Sequence, residues 1–496
     1  MVYILFLVFA LLFRPGSALQ RMKAGDDTVK NKIITALFIA VTVFVLVFPM
    51  HLPRAWNGEV PMHRNQYERM AESLLQGHLY IFDDADPKLA EMENPYDPAA
   101  RKAIGVKVHW DSAYFEGKYY FYFGIVPVLI LFLPFRAIAG ISLPTYIGTA
   151  IFTAGVVIGI FLLFRLLSRR FFPKMTLGIE LTLASAFSLM SLWYVSQAPA
   201  LYCTAIVSAL AMMVWSFYFF FRSVYVAEKE SRQVLFAVLG GSFGALAFGC
   251  RPPVAIANFI AVPMLITYLR QRKLSFKVVR HAIYAILPYV IVAALLMIYN
   301  YLRFHDPLEF GQAYQMTVAD QHAYGSFLER FSFAAEFKGL VNQFFAIPKY
   351  VKEFPWVRYG GAIINFPVLI FSLMLFLPRT IRSAMKAKWF GVTAVLFALP
   401  ILITLLDVYW SPYLLERYRL DIYWLMGIAV FIAFAYLYEH SRTGRQEAAL
   451  QIAFAFLSFA TIVLSVLFYL VPQDASFTSE SPETLDFVRT AMFFIP

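Results

Sequence analysis

The chain has 496 residues, of which 60% are hydrophobic, 18% aromatic and only 15% charged, well below the quarter or so of charged residues usual in soluble domains. That balance excludes a soluble fold or a merely peripheral attachment, and at about 20 apolar residues per crossing it leaves room for ten or more membrane spans. The formal charge of +11 does not point to nucleic acid, because no basic stripe interleaved with aromatics is present and cytoplasmic loops of membrane proteins collect Lys and Arg in any case.

In chain order, Val2 to Phe13 comes first. As a helix it would be about 18 Å long, short for a span. It lacks a basic leader and a small-residue cleavage site, so a short or tilted helix is expected rather than a signal peptide. Together with a basic stretch it fills residues 1–32. Apolar runs follow at 33–50, 144–167, 176–194, 199–221, 234–250, 253–269, 282–302, 362–377, 390–406, 422–438 and 450–471, which makes eleven expected spans. Six short segments, among them those with Arg169, Arg170 and Lys174 or with Arg379, Arg382, Lys386 and Lys388, hold more than half of the 42 Lys and Arg residues. They are placed in the cytoplasm. Ile125 to Phe135, broken by Pro127 and Pro134, is kept on the outer face as a re-entrant or juxtamembrane segment, because counting it as a span would turn the basic loops outward.

The expected fold is therefore an all-α polytopic membrane protein in the cell membrane. Its core runs over 33–302 and includes a first outer loop at 51–143. A second outer loop covers 303–361, C-terminal spans cover 362–471, and an outer tail covers 472–496. Glu180 is the one acid expected within a span, which weighs against ion-coupled transport. Cys203 and Cys250 lie in apolar segments without metal-ligand spacing and read as inert buried thiols.

The outer loops carry the chemistry. Tyr67, Met70, Ala71, Leu74 and Leu75 recur at the spacing of one helical face, predicting an amphipathic helix on the membrane that stops at Gly77. Asp83, Asp84, Asp86, Glu91 and Glu93 read as solvated surface, and Asn94 to Pro98 as turns. From His109 to Gly124, aromatics alternate around Gly117-Lys118, the pattern of an interfacial hairpin. It reads either as an aromatic belt or as a sugar-stacking surface, with Asp111 as acid or base and Lys118 on a phosphate. Arg251-Pro252-Pro253, Asn300 to Gly311 with Arg303, and Glu416-Arg417-Tyr418-Arg419-Leu420-Asp421 each place guanidinium at headgroup depth. A tight turn, a snorkelling side chain and an interfacial anchor are the plain alternatives. Phe337, Leu340, Val341, Phe344 and Phe345 set a second helix against the membrane. None of the eight histidines forms a ligand pair at one-turn spacing beside an acid, so no metal ligands are assigned.

This order of parts resembles the membrane-embedded GT-C glycosyltransferase superfamily, which includes protein O-mannosyltransferases and lipid A aminoarabinose transferases. The likeness rests on the helix Tyr67 to Gly77, the Gly117-Lys118-Tyr119-Tyr120 to Pro127 stretch, Arg251-Pro252, Arg303 to Gly311 and Glu416 to Asp421. It implies transfer of a sugar from a polyprenyl-phosphate carrier to an outer acceptor hydroxyl, with inversion at the anomeric carbon. Relatives often carry an Asp-Glu pair four and three residues before the tyrosine of that helix, where this chain has His63 and Arg64. The base is thus open among Asp111, Glu68 and Glu59. Lys118, Arg251, Arg303 and Arg417 form the expected phosphate set, with Tyr119, Tyr120 and Tyr418 at the substrate, and a divalent metal joins if the carrier is a diphosphate. The expected partners are the lipid-linked donor, the outer acceptor and membrane lipids. A lipid-linked glycan flippase or transporter, a GT-C relative without catalysis and a non-enzymatic scaffold are the competing readings.

Overall fold

The structure, a computed structural model, describes residues 2–51, 65–271, 276–324, 327–348, 351–352, 354–356, 358–377, 379, 383, 390–411, 414–471 and 482–493. Glu59, His63, Arg64 and the start of the expected tail at 472–481 lie outside the described residues. The fold is an all-α polytopic bundle. Among the described residues ten helices are long and apolar enough to cross a bilayer: Val29–His51, Thr145–Phe171, Leu177–Gln197, Tyr202–Val226, Glu230–Phe248, Pro252–Arg270, Val278–Phe304, Gly391–Trp410, Glu416–Glu439 and Gly444–Tyr469. Helix is the natural answer to hydrocarbon, since each backbone N–H and C=O finds its partner within the segment.

The eighth of the expected spans, 362–377, forms the short helix Ala362–Asn365 and a 3₁₀ helix Pro367–Phe376, shorter than the other spans. Pro367 forces Phe366 out of the helical basin (φ −130°, ψ 84°), as the residue before a proline usually is. Val2–Phe13 is a helix of 12 residues, with Phe6 edge-on to Phe459 of the last span.

Leu177–Gln197 is the axis of the bundle and is buried along its whole length. It packs against the spans beginning at Val29, Thr145, Glu416 and Gly444. Polar ties pin it. Glu180 accepts from Arg165 Nε at 2.7 Å, and the same guanidinium donates to Thr35 at 2.5 Å. Val278–Phe304 is the opposite case: it packs mainly on Glu230–Phe248 and turns the rest of its surface outward.

Glu180 is not alone among acids within spans. Gly391–Trp410 runs far enough to take in Asp407, and Asp421 lies one turn inside Glu416–Glu439; both are buried. This corrects the expectation of a single intramembrane acid.

At one end of the bundle the two long loops form a joint cap. Strand β1 (Ala113–Phe115) pairs with β2 (Lys118–Tyr120) in antiparallel register, Tyr114 facing Tyr119. Glu116 and Gly117 both take positive φ, 47° and 77°, the turn whose twist suits a two-residue hairpin. The second loop joins as a further edge: Tyr114 N donates to Tyr314 O at 2.8 Å and Met316 N to Ser112 O at 2.9 Å. Arg101 clamps the same junction, donating to Pro95 O and Thr317 O, each at 2.8 Å.

The helix Gln66–Leu75 lies under this cap with Tyr67, Met70 and Ala71 buried. Ile125 to Phe135 packs on it as a π-helical turn, Val128–Phe132, leading into Leu133–Ala139, so this segment belongs to the loop end and not to the spans. The helix Phe333–Phe345 rests on Gly391–Trp410.

Candidate functional site

Asp111 sits between Trp110 and β1, at the floor of the cap. It is 4% exposed and takes a left-handed backbone, φ +57°, a region that costs residues other than glycine about 1 kcal/mol or more. Three bonds hold it there. Its N–H donates to Met316 O at 3.2 Å, and Gln66 Nε2 donates to the carbonyls of Asp111 and Trp110 at 3.1 and 3.3 Å. Its side chain accepts from the hydroxyl of Tyr202, at the head of the span Tyr202–Val226. Burial pushes the carboxyl up from 3.8 to about 6, against the pull of the Arg417 charge and of hydrogen bonds from Gln315 and Trp110. The carboxyl is thus poised to gain or lose a proton near neutrality.

Arg417 approaches from the turn before Leu420. Its guanidinium lies 3.9 Å over the ring of Tyr202 and shares a hydrogen bond with Tyr194. Tyr418 lies beside it. Among the described residues Arg417 makes no ion pair, whereas its neighbour Arg419 is paired with Glu416. Tyr122 closes the group, its hydroxyl accepting from Gln315 Nε2 at 2.5 Å.

Arg251 and Asp421, from two stretches far apart in the chain, meet in a two-point ion pair: Nε to Oδ1 and Oδ2 at 3.1 and 3.0 Å, and the terminal nitrogen to Oδ2 at 2.7 Å. Arg251 also faces the ring of Tyr418 at 5.4 Å. This pair braces the Arg417-Tyr418 turn against the head of the span Pro252–Arg270. Gly124 permits the approach of the hairpin to the same corner, since a Cβ there would stand 2.2 Å from Cys250 O. Val126 N donates to Gly249 O at 2.9 Å.

The remaining candidates go elsewhere. Glu68 accepts from Thr145 N and Oγ1 at 2.8 and 2.9 Å, so it caps the span Thr145–Phe171, a favourable place for a carboxylate. Arg303 donates to Phe121 O at 2.6 Å and Asn300 Oδ1 at 2.8 Å and stacks 3.8 Å over Tyr299. It fastens the hairpin to the span Val278–Phe304. Lys118 lies on the exposed strand edge, its ammonium 4.3 Å over Tyr80. Tyr119 is buried against Phe82, Tyr114 and His109, and Tyr120 packs on Tyr80 and Phe304. The structure therefore joins Asp111, Arg417 and Tyr418, with Arg251 as their brace. It adds Tyr122, from the alternating-aromatic stretch His109 to Gly124, and Tyr202, Gln315 and Gln66, none of which carries a sequence signal of its own.

A cavity of about 580 Å³ lies apart from Asp111, among the spans beginning at Tyr202, Glu230, Pro252 and Val278. Its walls are apolar, with Phe220, Phe259, Val262 and Ile286, and Gln233 and His281 lie at the end away from the loops. Ala255 lines it too, and the N–H of Ala255 donates to Arg251 O, so the cavity reaches within a helical turn of the Arg251 corner. Among the described residues no three His, Cys, Asp or Glu side chains gather as a metal site.

No known family's sequence model matches the chain, and no curated protein matches its sequence. Solved structures with a similar course of the chain include the oligosaccharyltransferase of Archaeoglobus fulgidus in its apo form, at 13% identity and a TM-score of 0.45 over 89% of this chain and 56% of that one. They also include ArnT from Cupriavidus metallidurans bound to undecaprenyl phosphate, at 12% identity and a TM-score of 0.44 over 88% of this chain and 77% of that one. The chain thus spans little more than half the length of the archaeal enzyme.

Proposed function

We propose that this chain is a multi-pass membrane glycosyltransferase of the GT-C kind, moving a sugar from a polyprenyl-phosphate carrier to an acceptor hydroxyl at the extracytoplasmic face. The observation that carries this reading is the buried carboxyl of Asp111, pushed up by burial to about 6 and close enough to feel the charge of Arg417, which makes no ion pair among the described residues, at the loop end of the bundle. Ionised Asp111 takes the proton of the acceptor hydroxyl as that oxygen attacks the anomeric carbon. The bond from that carbon to the carrier phosphate breaks, and the charge gathering on the phosphate is met by Arg417. A single displacement of this kind inverts the anomeric centre. Tyr202 and Gln315 hold the carboxylate, Tyr418 borders the phosphate, and Arg251 with Asp421 keeps the arginine turn in place. The apolar cavity beside Arg251 suits the hydrocarbon tail of the carrier.

The test is transfer from radiolabelled polyprenyl-phosphate sugars by purified protein, with Asp111→Asn and Arg417→Gln alongside wild type. Transfer by wild type that both variants lose supports the reading; no transfer from any donor, or full transfer by Asp111→Asn, overturns it. A second reading, translocation of a lipid-linked glycan, draws on Asp407, a buried acid within a span whose Oδ2 has no partner among the described residues, a common mark of transport paths. Movement of labelled lipid across proteoliposomes that Asp407→Asn stops, without transfer, would favour it.

A further inference from the structure

Gln66 is fully buried at the first turn of the helix Gln66–Leu75. Its Nε2 lies 3.1 Å from Asp111 O, 3.3 Å from Trp110 O and 3.3 Å from Ser112 Oγ. Two of these neighbours are carbonyls, which only accept, so the amide must present its N–H groups to them. Its own Oε1 is left buried and unpartnered among the described residues, a cost the fold accepts in order to keep the donor side in place.

The three residues it touches are the three around the positive φ at Asp111. A left-handed residue other than glycine persists only where its surroundings hold it, and Gln66 supplies two of the bonds that do so. The helix that carries Gln66 is itself rigidly seated. Tyr67 packs between Phe121 and Phe132, and Glu68 holds the head of the span Thr145–Phe171.

We propose that Gln66 is a positioning residue, whose amide clamps the left-handed turn at Asp111 and so aims the carboxylate at the acceptor hydroxyl. The inference rests on the reading of Asp111 as the base. Without the clamp the turn relaxes, the carboxylate swings toward water and loses both its burial and its line to the acceptor. A displacement of about 1 Å at such a site costs on the order of 100-fold in rate.

The test is Gln66→Met, which keeps shape and removes the donors, in full-length protein. Two readouts are taken. The first is kcat and KM for transfer, alone and in the Asp111→Asn background. The second is the infrared titration of the carboxyl band that Asp111→Asn abolishes, which needs no donor or acceptor. The expected result is a kcat about 100-fold lower with donor KM within about twofold. No further loss should occur in the Asp111→Asn background, and the infrared midpoint should fall toward the ordinary carboxyl value of about 4. A variant with wild-type kcat and an unmoved midpoint overturns the proposal, as does a loss that simply adds to that of Asp111→Asn.

If Gln66→Met does not fold, Gln66→Asn keeps the amide but is one methylene too short to reach both carbonyls, and the same outcomes apply. If wild type transfers no sugar, the enzymatic reading falls while the infrared midpoint still decides the clamp.

Discussion

Replacing Asp111 by Asn should lower transfer by about 10²–10⁴-fold, the share of a general base, and yet stabilise the protein at neutral pH. The carboxyl is raised from 3.8 to about 6 by burial, so the folded state holds its proton more tightly than the unfolded chain does. Below about pH 4 both states are protonated and the residue carries no penalty. Between about pH 4 and 6 the unfolded chain ionises first, and stability falls as the pH rises. Above about pH 6 the full cost of the buried charge is present, close to 2 pK units or about 3 kcal/mol at most. Asn has the shape of the protonated acid and escapes that cost, and the Tyr202 hydroxyl can turn to accept from its amide. Thermal unfolding in detergent, wild type against Asp111→Asn, should therefore show the variant more stable at pH 7.5, with the gap narrowing to about a third by pH 4.5. An Asn variant that is less stable by the same amount at both pH values, or whose advantage grows toward acid, would refute the account of Asp111 as a buried charge held for function.

Two further outcomes follow from the same corner. Arg417 is the leading influence that lowers the Asp111 carboxyl against burial, so the acid limb of the pH–rate profile should sit near pH 6 in wild type. In Arg417→Gln the residual activity should show that limb about one unit higher; a limb that stays or moves down would count against their coupling. Arg251→Met leaves Asp421 buried without its partner and should cost about 3–5 kcal/mol, whereas Arg251→Met with Asp421→Leu should recover much of it. Chemical denaturation of the two variants measures the difference.

The bundle was largely legible because lipid makes each span announce itself as an apolar run and basic residues mark alternate loops. At 362–377 the apolar run was legible but its form was not, since Pro367 stops the α-helix at Asn365 and the chain goes on as a 3₁₀ helix. Within the site, Asp111, Arg417, Tyr418 and Arg251 could be singled out because charge and aromatics at headgroup depth are conspicuous in so apolar a chain. Their grouping could not be seen. Arg251 and Asp421 are 170 positions apart, and nothing local tells an arginine that will be neutralised from one, such as Arg417, that makes no ion pair among the described residues. Glu68 shows the converse: the spacing that put it on a helix was right, but the span head it caps, at Thr145, comes from a part of the chain far away in sequence. Gln66 and Tyr202 had no signal, because a neutral polar residue beside an apolar run is ordinary.

The junction of β1 with residues 314–316 has a consequence for how the protein is made. The hairpin is made early in synthesis, but the segment that completes its edge through the bridge from Ala113 to Gln315 follows only after six more apolar helices of span length. Until then β1 waits with an open edge, and Asp111 lacks the Met316 carbonyl that receives its N–H. The Asp111 carboxyl therefore takes its buried, left-handed setting only once most of the chain is in place, and a product of interrupted synthesis would carry every residue of the first loop without the constellation they form together.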